Sequence, residues 1–164
     1  MLRKWRINQK KVRTRKGLEI ILRQVTASDI PEIYQIEKLS FKDPYPPSLL
    51  ETLAILSNDT FIVAEYDKHV VGYVIGTLRW DVVGHIINIA IHPDFRRKGI
   101  GEVLMKEVMK ALKKKGATMF RLEVRISNIP AQCLYEKLGF RKVGVIPNYY
   151  SDGEACYVMV KRDP

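Results

Sequence analysis

The 164-residue sequence contains few cysteines and no long apolar run. Its only cysteines are Cys133 and Cys156, whose spacing fits neither a metal site nor a redox pair. Without eighteen consecutive apolar residues a transmembrane helix is excluded, and the N-terminus lacks the apolar segment and cleavage site of a secretory signal. We therefore expect a cytoplasmic protein with no membrane partner, in which Cys133 is a small core residue.

Acidic residues are absent from the first seventeen positions. The same segment contains eight basic residues: Arg3, Lys4, Arg6, Lys10, Lys11, Arg13, Arg15 and Lys16. Removing these eight charges from the net charge of +10 leaves +2 for the rest of the chain. We predict a basic, flexible arm over residues 1–17 and one folded domain over residues 18–164. The arm is suited to RNA, the ribosome surface or acidic lipid, and a solvated tail is the alternative.

No repeat, linker or low-complexity segment interrupts residues 18–162. Apolar periodicity predicts the order β-α-α-β-β-β-α-β-α-β-β, which is typical of a mixed α/β sheet. The predicted strands cover residues 18–25, 60–66, 69–80, 85–91, 118–126, 140–146 and 155–161. The predicted helices begin near Ser28, Ser48, Ile100 and Ile129, with Ser28 as a capping residue.

Two glycines separate an apolar strand from an amphipathic helix in the segment Arg96-Arg97-Lys98-Gly99-Ile100-Gly101. Glycine lets the backbone approach a ligand, and free N–H groups at a helix start attract an anion such as pyrophosphate. The pattern is not a Rossmann fingerprint, because Leu104 stands where a third glycine is needed, and it lacks the Gly-Lys-Ser/Thr of a P-loop. A simple turn with solvated basic side chains is the alternative.

Several motifs in order resemble the GNAT acetyltransferase superfamily. The loop Arg96-x-x-Gly99-x-Gly101 follows the apolar strand HIINIAI, and LEVR, Ser127-Asn128, LYEKLGF and YYSDGE come after it. These spacings are similar to the RimI-type and NatA-type protein N-terminal acetyltransferases over residues 18–162. The resemblance implies the GNAT fold, acetyl-CoA as cosubstrate and no required metal. The first seventeen residues have no counterpart in the family pattern.

The resemblance also implies which residues contact the cofactor. Backbone groups of Ile89, Ala90 and Ile91 would face the pantetheine arm. The pyrophosphate would lie beside Arg96 and accept hydrogen bonds from the backbone of Arg97, Lys98, Gly99, Ile100, Gly101 and Glu102. Asn128 would hydrogen-bond the cofactor, and Tyr135 would lie near its sulfur.

Three residues are candidates for proton transfer. The resemblance makes Glu123 the base, although Arg121 and Arg125 lie on the same strand face and favour an ordinary ion pair. His85 suits a proton relay with Glu123, and a structural histidine is the alternative. The two side chains alone make a poor metal site, so only an adventitious ion is expected there. Tyr135 would protonate the leaving thiolate, and simple helix packing is its alternative role.

The acceptor site is predicted in two irregular segments. Asp43 and Tyr45 stand in the proline-rich stretch after the first helix, and Tyr149 and Tyr150 precede the final hairpin. The leading hypothesis is a protein N-terminal α-amine as acceptor, because an α-amine with a pKa of about 8 is already about a tenth neutral at pH 7. A lysine side chain or a small amine is the second hypothesis. A ribosome- or RNA-binding module using residues 1–17 is the third.

Overall fold

The secondary structure follows the predicted order from residue 19 onward, with one further strand ahead of it. The structure, a computed structural model, describes residues 9–163. The strands are β1 Lys10–Arg13, β2 Glu19–Gln24, β3 Phe61–Tyr66, β4 His69–Arg79, β5 Val83–Ile91, β6 Met119–Arg125, β7 Arg141–Ile146 and β8 Cys156–Arg162. The helices are α1 Ile30–Ser40, α2 Pro47–Leu56, α3 Ile100–Lys114 and α4 Ile129–Lys137. The predicted mixed α/β class is confirmed.

All strands of the described residues join one sheet, in the order β1-β2-β3-β4-β5-β6-β8-β7. Neighbouring strands are antiparallel except β5 and β6, which are connected through α3 and run parallel. Their pairing covers only residues 83–85 of β5 against residues 119–121 of β6. Beyond His85 the two strands have no further paired residues, and β5 continues with β4 alone. This separation in the middle of the sheet leaves room for a ligand.

Strand β1 differs from the prediction of a flexible arm over residues 1–17. Residues 10–13 pair antiparallel with residues 19–22 of β2, and Thr14 is buried in the turn between them. The strand is held because Val12 packs against the core and Lys10 forms an ion pair with Glu107 of α3 at 3.1 Å. A single apolar residue among bases gives too weak an alternation to predict a strand. Arg3, Lys4 and Arg6 lie outside the described residues.

The apolar core occupies both faces of the sheet. One face packs against α3, whose buried residues include Leu104, Val108 and Leu112. The opposite face packs against α1 and α2 through residues such as Ile33, Ile36 and Leu50. Since the buried strands are covered on both sides, they read as continuous apolar runs in the sequence. No helix within residues 9–163 has the length and apolar character needed to cross a membrane.

A 3-10 turn over Ala27–Asp29 leads into α1, and Thr26, not Ser28, caps that turn. Thr26 and Asp29 form a reciprocal capping box, and the Asp29 carboxylate accepts two hydrogen bonds from Arg23 at 2.7 and 2.8 Å. Arg23 also contacts Glu65 at 3.0 Å, so the pair joins β2, β3 and α1. Burial alone would raise the pKa of Asp29, but these hydrogen bonds hold it below its usual value.

Candidate active site

The turn before α3 presents a row of free backbone amides. Arg97 has φ of 61° and Gly99 has φ of 85°, and left-handed residues of this kind are typical of turns whose successive N–H groups form an anion-binding concavity. Among residues 9–163, the N–H groups of residues 97–102 donate to no protein acceptor. Residue 99 favours glycine because this conformation disfavours a Cβ atom, which would also lie 3.1 Å from the Cβ of Thr14. These amides, at the positive end of α3, fit a diphosphate.

The charged side chains around this turn have different roles. Arg96 turns back, donating from Nε to the Ile91 carbonyl at 3.0 Å and from its guanidinium to Ser40 Oγ at 3.1 Å. It therefore anchors the loop to the end of β5. Arg97 and Lys98 are exposed and have no acidic partner within residues 9–163. Each therefore adds a free positive charge beside the amides.

Glu102 is an acidic side chain at the position where an anion is expected. Its carboxylate accepts hydrogen bonds from Arg15 at 2.8 Å and Lys106 at 3.0 Å. The bond from Lys106, with the charges of Arg15 and other basic groups, lowers the pKa of Glu102 despite its burial. These bases compensate its negative charge, so the first turn of α3 still attracts anions. Arg15 thus brings the β1–β2 turn to the loop, a contact that local sequence patterns did not predict.

The strand β5 offers an open edge beside this turn. Ile89, Ala90 and Ile91 pair with β4 on one side but with no residue of β6 on the other. The Ile91 carbonyl is partly used, since it accepts the bond from Arg96. An extended ligand could hydrogen-bond along such an edge as an added strand does. The strand that was predicted to contact the pantetheine arm thus has an unpaired backbone edge on the β6 side.

The structure brings His85 and Glu123 together where β5 and β6 separate. His85 Nε2 lies 2.7 Å from Glu123 Oε2, and both side chains are mostly buried, with 14% and 10% of their surface exposed. Among the described residues, His85 Nδ1 is the one buried side-chain polar atom without a hydrogen-bond partner. When Nε2 carries the proton toward the carboxylate, Nδ1 of the neutral ring is an acceptor. The pair therefore has the geometry of a proton relay.

The two arginines near Glu123 do not act alike. Arg121 Nε donates to Glu123 Oε1 at 3.0 Å. Arg125 instead binds Asp152 and Glu154, at 2.9 and 3.0 Å. Burial would raise the pKa of Glu123, but the bonds from His85 and Arg121 hold it below its ordinary value. Glu123 is therefore ionised at neutral pH and accepts hydrogen bonds on both oxygens.

Helix α4 and the residue that caps it provide the remaining residues that were predicted to contact the cofactor. Tyr135 is 7% exposed, its ring packs edge-on against Phe140 at 6.1 Å, and its hydroxyl has no hydrogen-bond partner within residues 9–163. Burial raises the pKa of Tyr135, so the hydroxyl keeps its proton. Asn128 caps the helix, its Oδ1 accepting from Ala131 N at 3.3 Å, which leaves its amide nitrogen for a ligand. The prediction that Cys133 is a core residue is wrong, because its side chain is on the exposed face of α4.

The predicted acceptor residues lie on two segments that contact each other. Asp43 hydrogen-bonds to Ser151, and Lys42 forms an ion pair with Asp152 at 3.0 Å. Tyr149 and Tyr150 stack edge to face with ring centroids 5.0 Å apart. The loop between α1 and α2 (residues 41–46) and the turn between β7 and β8 (residues 147–155) therefore form one wall, called here the acceptor wall.

The acceptor wall lies within electrostatic reach of Glu123. Burial, with the charges of Glu37 and Glu123, raises the pKa of Tyr45. Burial and the charge of Glu123 also raise the pKa of Tyr149. Both phenol groups therefore stay protonated and can donate hydrogen bonds near the relay. Tyr149 is half exposed, which suits contact with a substrate.

The structure also reveals a functional candidate that sequence patterns did not. Glu37 is fully buried and receives hydrogen bonds from Tyr45, Tyr73 and Asn88, which lie on three different elements. In the sequence, the one sign of such a role is a glutamate at a position of α1 that faces the core, because burying an isolated carboxylate is unfavourable. Residues 9–163 contain no group of three or more potential metal ligands, so His85 and Glu123 have no third ligand beside them.

The geometry fits an acyltransferase: a parallel strand pair separates beside free amides, and His85 and Glu123 lie together at the point of separation. Comparison with protein families makes this specific, because the profile of the Acetyltransferase (GNAT) family matches residues 30–140. The chain belongs to this family.

Individual relatives cover nearly the whole chain. It is 37% identical to an N-alpha-acetyltransferase of Saccharolobus solfataricus, over 89% of this chain and 95% of that protein. It is 38% identical to a putative [ribosomal protein bS18]-alanine N-acetyltransferase of Bacillus subtilis, over 84% and 92% of the two chains. The crystal structure of Ard1 from Thermoplasma volcanium superposes with a TM-score of 0.85 at 30% identity, covering 88% of this chain and 98% of that one. The predicted resemblance to this group of enzymes is confirmed.

Proposed function

We propose that this enzyme transfers an acetyl group from acetyl-CoA to the N-terminal α-amine of proteins, by direct attack within a ternary complex. The observation that carries the proposal is the His85–Glu123 pair, 2.7 Å apart, between the open edge of β5 and the acceptor wall. The names of the relatives from Saccharolobus and Bacillus support an α-amine as acceptor. When bound, acetyl-CoA supplies an activated thioester.

Cofactor binding is assigned to the amides of residues 97–102, the edge of β5 and the side chain of Asn128. The free N–H groups fit a diphosphate, and the exposed Arg97 and Lys98 add long-range attraction. Arg96 acts through the loop, because its side chain fixes the turn to Ile91 and Ser40.

Proton transfer is assigned to three side chains. The α-ammonium group has a pKa of about 8, so a weak base is sufficient to hold the amine neutral. Glu123 is ionised and orients His85, whose buried Nδ1 has no hydrogen-bond partner among residues 9–163 and would take up the proton of the amine through a water. Tyr135 keeps its proton because burial raises its pKa, and it is the proposed donor to the leaving sulfur. No metal enters this scheme.

The acceptor is tested with peptides that differ only at their N-terminus. A peptide with a free α-amine should be acetylated, and the same peptide with a blocked N-terminus but a free lysine should not. Equal rates on the two peptides would instead support the lysine or small-amine hypothesis.

A nucleic-acid contact is proposed as a second role of the N-terminal segment. Lys11, Arg13 and Lys16 are exposed on or beside β1 and have no acidic partner within residues 9–163. Replacing all three with glutamine should reduce RNA binding and flatten its salt dependence, measured by filter binding, without changing peptide acetylation. Wild-type protein that binds neither RNA nor ribosomes would rule this role out.

A cytoplasmic location is proposed for these activities. Both cysteines are free thiols, which is usual in a reducing compartment. Fractionation of cells followed by immunoblotting tests this location directly.

A further inference from the structure

Glu37 is a buried acid without a basic partner. Its side chain, on α1, is 0% exposed, and none of the cations within residues 9–163 forms an ion pair with it. Its partners are all neutral donors. The backbone N–H of Tyr45 donates to Oε2 at 2.9 Å, and Tyr73 Oη and Asn88 Nδ2 both donate to Oε1.

The free-energy cost of burying an apolar side chain at this position would be lower than that of burying a carboxyl group. Burial raises the pKa of Glu37, and the three hydrogen bonds offset only part of that effect. Its neighbours on the core side of α1, Ile33 and Ile36, are apolar and equally buried. The carboxyl group is therefore explained by what its hydrogen bonds hold in place, not by packing.

The three donors belong to different parts of the active site. Tyr45 lies in the acceptor wall, in the loop between α1 and α2. Asn88 lies on β5, three residues after His85, and Tyr73 pairs with Ala90 of β5 from the adjacent strand β4. Glu37 thus connects the acceptor loop to the strand that carries the relay.

We propose that Glu37 is a positioning residue: it fixes the backbone at Tyr45, and so sets the distance between the acceptor loop and the His85–Glu123 pair. This inference rests on the proposed function for its kinetic consequence. Its structural part, the anchoring of the loop, is measurable without activity. Glu37 itself does not touch the substrate, because its side chain has no exposed surface.

Asp29 provides a matched control near the start of the same helix. It is also a buried carboxylate, at 5% exposure, but its partners are Arg23 and Thr26, away from the acceptor loop. Replacing Asp29 with asparagine should lower the thermal midpoint while leaving the kinetics of the folded protein unchanged.

The kinetic test compares Glu37→Leu, Glu37→Gln and Asp29→Asn. Glu37→Leu should lower kcat/KM for the peptide about ten- to a hundredfold, because a displaced acceptor misses the reacting geometry. The Kd for coenzyme A should stay within about twofold, because the groups bonded to Glu37 are the Tyr45 N–H, Tyr73 Oη and Asn88 Nδ2, and none of these is assigned to cofactor binding. Glu37→Gln keeps an oxygen for the Tyr45 N–H and should recover most of the activity.

The structural test is hydrogen exchange of residues 41–47, followed by mass spectrometry. Exchange in this loop should be faster in Glu37→Leu than in the wild type, and unchanged in Asp29→Asn. Unchanged exchange together with a wild-type kcat/KM in Glu37→Leu would overturn the inference. If Glu37→Leu does not fold, Tyr73→Phe removes one donor and should raise the peptide KM several-fold, and a wild-type KM there would be equally decisive.

The two proposals fail in different ways. Wild-type protein that acetylates no free N-terminus contradicts the proposed function, but the exchange experiment still tests the role of Glu37. A wild type that is active, with a Glu37→Leu variant that behaves identically, contradicts only the positioning role.

Discussion

The proposed donor and acceptor sides of the active site use different groups, backbone atoms on the donor side and side-chain pairs on the acceptor side. The donor turn over residues 97–102 offers backbone amides, and the strand beside it offers a backbone edge. The acceptor wall is held by side-chain pairs between distant segments, such as Asp43 with Ser151, 108 residues apart, and Lys42 with Asp152, 110 residues apart. Backbone groups tolerate most substitutions that keep the conformation, whereas side-chain pairs depend on both partners. We therefore expect substitutions on the donor side to matter mainly at glycine, and substitutions on the acceptor side to matter at many residues.

The largest effect is expected where the two sides meet, at Glu123. Replacing it with glutamine removes the ionised partner that orients His85, and kcat should fall about a hundredfold or more, as when a proton-transfer group is lost. The measurement is thiol release with a free-amine peptide. Glu65→Gln is the control, since Glu65 is a comparably buried carboxylate paired with Arg23 and lies away from the site. A kcat within threefold of wild type in Glu123→Gln would contradict the relay.

The next effect tests whether the donor side depends on conformation alone. Gly99→Ala places a Cβ atom in a left-handed conformation and against Thr14, which costs about 1–2 kcal/mol. The Kd for coenzyme A, measured by calorimetry, should rise about tenfold with little change in peptide KM. Gly144→Ala is the matched control, because a Cβ there meets nothing within 4 Å and its φ is not positive. Equal Kd values for the two variants would remove the role assigned to this turn.

A smaller effect is expected from the acceptor wall. Arg125 binds Asp152 and Glu154 and lies over the Tyr150 ring at 4.0 Å, but these groups are partly exposed. Arg125→Met should therefore raise the peptide KM by only about two- to fivefold, with an unchanged Kd for coenzyme A.

Lys142→Met serves as the matched control for the acceptor wall. Lys142 lies over the Tyr157 ring at 4.3 Å, a similar contact outside the acceptor wall, and its loss should leave the peptide KM unchanged. If both variants shift the peptide KM equally, the effect is general and not a property of the acceptor wall.

The smallest effect concerns pH. The pKa of Glu123 is held below its ordinary value, so this carboxylate is charged above the unshifted pKa of 4.5 and loses its charge only as the pH falls through the lowered pKa. Protonation of Glu123 should therefore contribute almost nothing to the rate between pH 6 and 8. The fall in kcat/KM toward acid should move with the pKa of the peptide amine when that amine is varied. A step between pH 6 and 8 that stays fixed for every peptide and disappears in Glu123→Gln would contradict this assignment.

The contrast between the two sides also explains what the sequence could predict. The glycine turn and the strand before it are contiguous, so their spacing predicted the free amides, and the strand–helix order followed from apolar periodicity. Glu123 and His85 were predicted as partners because adjacent strands bring them together. The hydrogen bonds of Glu37 to Tyr73 and Asn88 span 36 and 51 residues and leave no local pattern. The same holds for Arg125, whose carboxylate partners lie on a hairpin that folds back from the next strands.

Both outer strands of the described sheet carry positive charge. Lys11 and Arg13 lie on β1 at one end, and Arg141 and Lys142 lie on β7 at the other. An outer strand exposes unpaired N–H and C=O groups that can recruit another polypeptide, and basic side chains there discourage such pairing. Two molecules approaching edge to edge therefore repel each other, which opposes growth into aggregates until salt screens the charges.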